Sequence, residues 1–171
     1  MRSQSSFPYT FEPLGDHDRT AFSCGIPELD NYLVHQASQD AKRKVAAPFV
    51  MVDSNRRVVG YYTLSAYGIR LAELPPELAK KFPKYPLLPA TLLGRLAVSK
   101  ASQGQKLGQV LLMDALHRAC ENTKEVASIG VVAEAIDENA RKFYLHHQFI
   151  PLAEHARKLF ISMRTIDSAL R

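Results

Sequence analysis

Gln103-Gly104-Gln105-Lys106-Leu107-Gly108 stands between an apolar run over 92–98 and an apolar segment that starts at Val110. Glycines let the main chain turn tightly and let successive N–H groups point the same way, and a following helix adds its positive N-terminal end. The stretch therefore reads as strand, phosphate-cradling loop and helix, a turn suited to a pyrophosphate. A glycine pair alone fits a purely structural helix-initiating turn equally well, so the segments around it have to decide.

Downstream, polar residues Asp114, His117, Arg118 and Glu121 recur at i, i+3, i+4 and i+7, which leaves most of that helix for burial. Residues 129–135 form the next apolar strand. Asp137 can cap a helix in which Ala140, Phe143, Tyr144 and His147 make one stripe. Alternation over 158–165 predicts a half-buried strand. Upstream of the turn, 91–98 is a strand, and 71–89 carries five prolines that exclude a helix or sheet interior. It reads as a long loop with one short helix at 77–81. Residues 49–53 and 58–67 are β-branched and aromatic and flank Ser54-Asn55-Arg56-Arg57, a hairpin signature. A helix over 27–43 precedes them, and the first twenty residues are polar and irregular. A mixed sheet with helices on its faces accommodates this order.

At 171 residues, with 46% apolar and 23% charged side chains, the chain has the profile of one compact globular domain, 1–171. Its longest apolar runs are interrupted by polar residues and its N-terminus lacks a signal-peptide core, which predicts a cytoplasmic protein without a membrane span. Cys24 and Cys120 lie far apart without nearby His ligands, so neither a metal site nor a disulfide framework is expected; both read as small buried side chains. The net charge is +5. Basic clusters, Lys42-Arg43-Lys44, Arg56-Arg57, then Arg70, Lys80, Lys81 and Lys84, and finally Arg157, Lys158, Arg164 and Arg171, suit the groove of a polyanion, although each also serves as a solubilising turn.

Leu93-Gly94-Arg95-Leu96-Ala97-Val98, the turn at 103–108, and Asn139-Ala140-Arg141-Lys142-Phe143-Tyr144 followed by Phe149 resemble the core of the GNAT acetyltransferases. Phe22-Ser23-Cys24-Gly25, Leu29-Asp30-Asn31-Tyr32-Leu33 and the ending Ile161-Ser162-Met163-Arg164-Thr165-Ile166 extend the resemblance, more narrowly, to the bacterial GNAT toxins of type II toxin-antitoxin modules. The resemblance implies an α/β (α+β) fold: a mixed, mostly antiparallel central sheet, splayed at two parallel strands, with helices on both faces. It implies acetyl-coenzyme A as donor, its pantetheine arm paired with the backbone of Leu96, Ala97 and Val98. Its pyrophosphate would lie on the N–H groups of Gln103, Gly104, Gln105, Lys106, Leu107 and Gly108, with Asn139 and Tyr144 touching the cofactor.

In that scheme Tyr144 is the candidate acid for the departing sulfur and Glu134 a candidate base; the alternatives are a buried aromatic and an exposed strand carboxylate. The acceptor class implied is charged tRNA, with Lys42, Arg43, Lys44, Arg70 and Arg95 as candidate contacts. A small DNA-binding antitoxin and a homodimer follow by family analogy. An N-acetyltransferase of a small-molecule or protein amine, and a binding module without turnover, are the competing readings. Two positions depart from the family: Lys106 and Gln148 stand where glycine is usual. If position 106 needs an angle that favours glycine, cofactor affinity suffers; if not, the lysine can reach a phosphate.

Overall fold

The computed structural model describes residues 7–171. Seven strands, β1 (Thr10–Pro13), β2 (Ala47–Val52), β3 (Val58–Ile69), β4 (Leu88–Val98), β5 (Gly130–Glu134), β6 (Ile150–Pro151) and β7 (Lys158–Ser162), form one sheet in the order β1-β2-β3-β4-β5-β7-β6. β1 with β2, β5 with β7 and β6 with β7 are antiparallel, and β4 with β5 is parallel. Helices α1 (Pro27–Asn31), α2 (Ala37–Lys42), α3 (Pro76–Ala79), α4 (Leu107–Asn122), α5 (Glu138–His146) and α6 (Met163–Leu170) complete the fold. None is long and apolar enough to cross a membrane.

Packing divides the chain into two units: residues up to Thr63 with Leu96–Leu112, and Leu64–Arg95 with Met113–Arg171. In the first, neighbouring positions on β3 show why helices cover both faces. A side chain at Gly60 would press on Met51, the Ala97 carbonyl and Leu111 of α4. The next residue, Tyr61, points the other way: its hydroxyl donates to the Leu29 carbonyl of α1 (2.6 Å) and its ring stacks on Tyr32. Tyr61, Tyr62, Met51, Leu33 and Leu111 are fully buried, each contributing about 1.5–3 kcal/mol. The expected 27–43 helix is present, but a π-helical turn, Tyr32–Gln36, joins α1 to α2. Arg19 donates to the Leu33 carbonyl there, 2.9 Å away.

The hairpin turn forms where expected: Asp53 accepts the N–H groups of Asn55 and Arg57 (both 2.9 Å), and Arg56 takes φ +63°. The irregular N-terminal stretch needs correction, because Thr10–Pro13 is an edge strand; 1–6 lie outside the described residues.

In the second unit the core comprises Ile69, Leu74, Leu88, Ala90, Val132, Leu152 and Phe160. The 71–89 loop is shorter than expected, since a 3-10 turn covers Leu71–Glu73 and β4 begins at Leu88 and takes in Pro89; its short helix is Pro76–Ala79 instead of 77–81, and β3 outruns the expected 58–67 to end at Ile69. The expected strand over 158–165 stops at Ser162. There the Ser162 hydroxyl accepts the Thr165 N–H (3.1 Å), a helix N-cap that overrides the alternation and starts α6.

Candidate active site

In the first unit, β4 ends at Val98, a 3-10 turn spans Lys100–Ser102, and α4 starts at Leu107. Between them Gly104 takes φ +85° and Lys106 φ +58°. A side chain at Gly104 would meet open space, so its glycine answers to the backbone angle and not to crowding. Lys106 adopts the left-handed conformation that the usual glycine would supply, at a cost of about 1–2 kcal/mol. The cradle therefore forms despite the substitution. Among the described residues, the backbone N–H groups of Gly104, Gln105, Lys106, Leu107 and Gly108 donate to no internal acceptor, whereas that of Val110 bonds the Lys106 carbonyl (3.4 Å). Consecutive open N–H groups at the head of a sixteen-residue helix fit a pyrophosphate.

Gln103 departs from the expectation. Its N–H is taken by the Lys100 carbonyl (3.2 Å), and its side-chain amide donates to the carbonyls of both Cys24 and Val98, each at 3.0 Å. The Lys100 N–H adds a bond to the Ser23 carbonyl (2.7 Å). Gln103 is thus a pin between the end of β4, the turn ahead of α1 and the start of the cradle. The parallel ladder of β4 with β5 covers Thr91–Leu93, and β4 continues beyond it through Leu96, Ala97 and Val98.

In the second unit, Asp137 caps α5 as the sequence predicts, accepting the Ala140 N–H at 2.8 Å. Asn139 is exposed in the first turn. Tyr144 is buried, 3% exposed. Its hydroxyl has no hydrogen bond among the described residues, yet none of their fully enclosed side-chain N or O atoms lacks a partner, so the oxygen lies at the small opening that remains. Burial pushes its pKa up from 10, so the hydroxyl keeps its proton throughout the neutral range.

The end of α5 holds this residue from behind. The Phe149 N–H bonds the Tyr144 carbonyl (3.2 Å), the Gln148 N–H bonds the Leu145 carbonyl (3.3 Å), and the Phe149 and Tyr144 rings lie 5.1 Å apart. These are the two bonds and the apolar contact of a Schellman cap, with Gln148 at φ +71° in the glycine position. Glu134 ends β5 opposite Lys158, its exposed carboxylate 3.9 Å from the ammonium, which donates more closely to the Tyr67 hydroxyl (2.8 Å).

The basic candidates divide between the units. Lys42, Arg43 and Lys44 are exposed in the first. In the second, Arg70 is engaged by Glu73 (3.7 Å) and Glu154 (3.5 Å), and Arg95 is half-buried on β4. Both cysteines are free; Cys24 is buried and Cys120 half-buried. Burial, with Asp30 beside it, pushes the Cys24 thiol up to about 11, and burial raises that of Cys120. Neither is activated as a nucleophile. Sequence reasoning missed the Gln103 side-chain pin, for which a lone glutamine gives no signal, and the buried Glu73, whose turn starts at Arg70 and lacks the Ser or Thr of a recognisable cap.

The chain thus combines a mixed sheet carrying one parallel pair with an open N–H cradle directly after the longer of those strands, an arrangement suited to a diphosphate-bearing ligand. No protein-family model matches the chain. It is 34% identical, over 77% of its length and 78% of the relative's, to the tRNA-acetylating toxin of Mycobacterium tuberculosis. AtaT, solved in complex with acetyl-methionyl-tRNAfMet, superposes with a TM-score of 0.88 at 30% identity, over 95% of this chain and 99% of that one. A tyrosine-to-phenylalanine variant of AtaT, bound to acetyl-CoA and the C-terminus of the antitoxin AtaR, gives 0.82 at 27% identity, over 95% and 98%. The chain belongs to the GNAT toxins of toxin-antitoxin modules.

Proposed function

We propose that the chain transfers the acetyl group of acetyl-CoA to the α-amino group of the amino acid on charged tRNA, and thereby arrests translation. The observation that carries this reading is the match, over 95% of the chain, to an acetyltransferase solved with acetylated aminoacyl-tRNA. Chemistry agrees with it. An α-amine titrates near 8 and a lysine amine near 10.4, so the former supplies far more neutral nucleophile near pH 7, which suits a site without a strongly activated base.

In this reading the N–H groups of Gly104–Gly108 hold the pyrophosphate, helped by the Lys106 ammonium, and Gln103 keeps that loop in register with the strand end. The backbone of Leu96, Ala97 and Val98 pairs with the pantetheine amides, one N–H donating to the oxyanion that forms when the amine attacks the thioester. Glu134 accepts the amine's proton, directly or through water. Tyr144, which stays protonated, delivers a proton to the sulfur as the carbon–sulfur bond breaks. Asn139 contacts the cofactor. Lys42, Arg43 and Lys44 meet tRNA phosphates, with Arg70 and Arg95 as further contacts. With both thiols unactivated, transfer to the amine is direct. The chain acts in the cytoplasm as a single-domain subunit of a homodimer and is held inactive by a small DNA-binding antitoxin.

Tyr144→Phe tests the reading. The hydroxyl makes no internal bond, so the variant keeps its stability to within about 1.5 kcal/mol, the scale of a near-isosteric buried swap, while acetylation of a charged tRNA pool slows by about 10²–10⁴-fold and expression no longer arrests growth. A wild type that leaves charged tRNA untouched while acetylating a protein or metabolite amine would remove the acceptor assignment. A variant with full kcat would remove Tyr144 as the acid.

A further inference from the structure

Glu73 is a buried carboxylate that the transfer scheme leaves unused. It lies in the second unit at the end of the 3-10 turn after β3, 6% exposed. One carboxylate oxygen accepts the Arg70 N–H (2.9 Å) and the other accepts His155 Nε2–H (2.7 Å), while its main-chain carbonyl accepts the Ala153 N–H (2.9 Å). The Arg70 guanidinium lies 3.7 Å from Glu73 and 3.5 Å from Glu154. Side chain and backbone of one residue therefore grip the turn at 153–155, in which Glu154 takes φ +69°. Burial disfavours the charged carboxylate, but the hydrogen bonds from His155 and the Arg70 backbone outweigh it and hold Glu73 below its ordinary pKa.

The far side of the same turn touches the root of α5. The Ala156 carbonyl accepts from Arg141 Nε (3.2 Å), the Arg157 carbonyl accepts the Ala135 N–H (2.8 Å), and the Arg157 guanidinium donates to the Ile136 carbonyl (3.2 Å). Ala135, Ile136 and Arg141 flank Asp137, the cap of the helix that carries Asn139 and Tyr144. A buried carboxylate is a poor way to gain stability, because an apolar side chain of similar volume fills the same space at less desolvation cost. What it supplies is direction: two oxygens aimed at two donors fix where the turn sits.

We propose that Glu73 is a positioning residue for acetyl transfer, acting through His155 and the 153–157 turn to set the start of α5 and hence the placement of Tyr144. This rests on the assignment of Tyr144 as the acid.

The test is a double-mutant cycle in the full chain, with acetyl-CoA and a charged tRNA pool as substrates. Glu73→Gln keeps the volume and one acceptor oxygen while removing the charge, and His155→Gln, at a partly exposed position, serves as an independent second variant. Each should lower kcat by about tenfold, the scale of loss that a small misplacement produces, with the acetyl-CoA Kd from calorimetry held within about threefold, because the main grip on the cofactor, the cradle at Gly104–Gly108, makes none of these bonds and only the Asn139 and Tyr144 contacts ride on α5. In a Tyr144→Phe background the same substitutions should change kcat by less than about twofold, since the group they position is gone. Equal losses in both backgrounds, or no loss in either variant, overturn the proposal and leave the acid assignment standing. Full activity of Tyr144→Phe alone overturns the acid assignment, and this proposal with it.

Discussion

Replacing Gln148 by glycine should make the protein more stable. Gln148 occupies the C′ position of the cap that ends α5, at φ +71°, with both cap bonds formed at 3.2 and 3.3 Å. A side chain held in that left-handed conformation costs about 1–2 kcal/mol, which glycine does not incur. Glycine gives back about 0.5–1 kcal/mol through the greater freedom of its unfolded chain. The residue is exposed, so no buried contact is lost. The net gain is about 0.5–1 kcal/mol, or roughly 1–4 °C in Tm at this chain length. Calorimetric melting of the variant beside the wild type reads it directly.

Gln148→Val is the matching control. A β-branched residue tolerates the left-handed region least, and its Tm should fall. Because the cap grips the Tyr144 carbonyl and ring, the glycine variant should also retain kcat, the bonds being unchanged. A Tm at or below wild type for Gln148→Gly would show that the cap does not hold that angle in solution, and the account of how Tyr144 is seated would fall with it.

Lys106→Gly relieves the same kind of strain at φ +58° but removes an exposed cation beside the cradle; Tm should rise by roughly 1–4 °C while the acetyl-CoA Kd weakens about 3–10-fold, the net size of one hydrogen bond at a solvent-exposed site. Tighter binding by calorimetry would mean that lysine impairs the cradle instead of serving it. Gly130→Ala should be costly, because its Cβ would press on the Ile161 carbonyl and lie 2.5 Å from the Phe160 ring. A loss of about 3 kcal/mol, or roughly 6–12 °C in Tm, is expected in thermal melts, and a loss under about 1 kcal/mol would mean that β5 and β7 yield more easily than their register suggests.

Local signals were legible wherever one short stretch carries the information. The hairpin turn at Asp53–Arg57, the Asp137 cap and the buried face of α4 each depend on residues within one or two turns of chain, and each forms as read. The failures also have local causes. Alternation over 158–165 fits a strand, but one Ser162 hydroxyl bound to the Thr165 N–H is enough to start a helix instead. β1 has four residues and no clean alternation, so its pairing with β2 is decided by the partner strand.

At the candidate site the chain order placed Gly104, Asn139 and Tyr144 on the turn and helix they occupy, because phosphate cradles and helix caps are made by neighbours in sequence. That Lys106 and Gln148 stand where glycine is usual was also visible in the sequence alone. Whether they keep the glycine angle was not: φ at those positions is set by the strand and helix ends on either side, and both take it. Only the tertiary structure makes the Gln103 side chain a pin across 79 residues, and joins Glu73 to His155 across 82. Such bonds have no period and no spacing, because they exist only once distant backbone carbonyls and turns have been brought within about 3 Å of each other by folding.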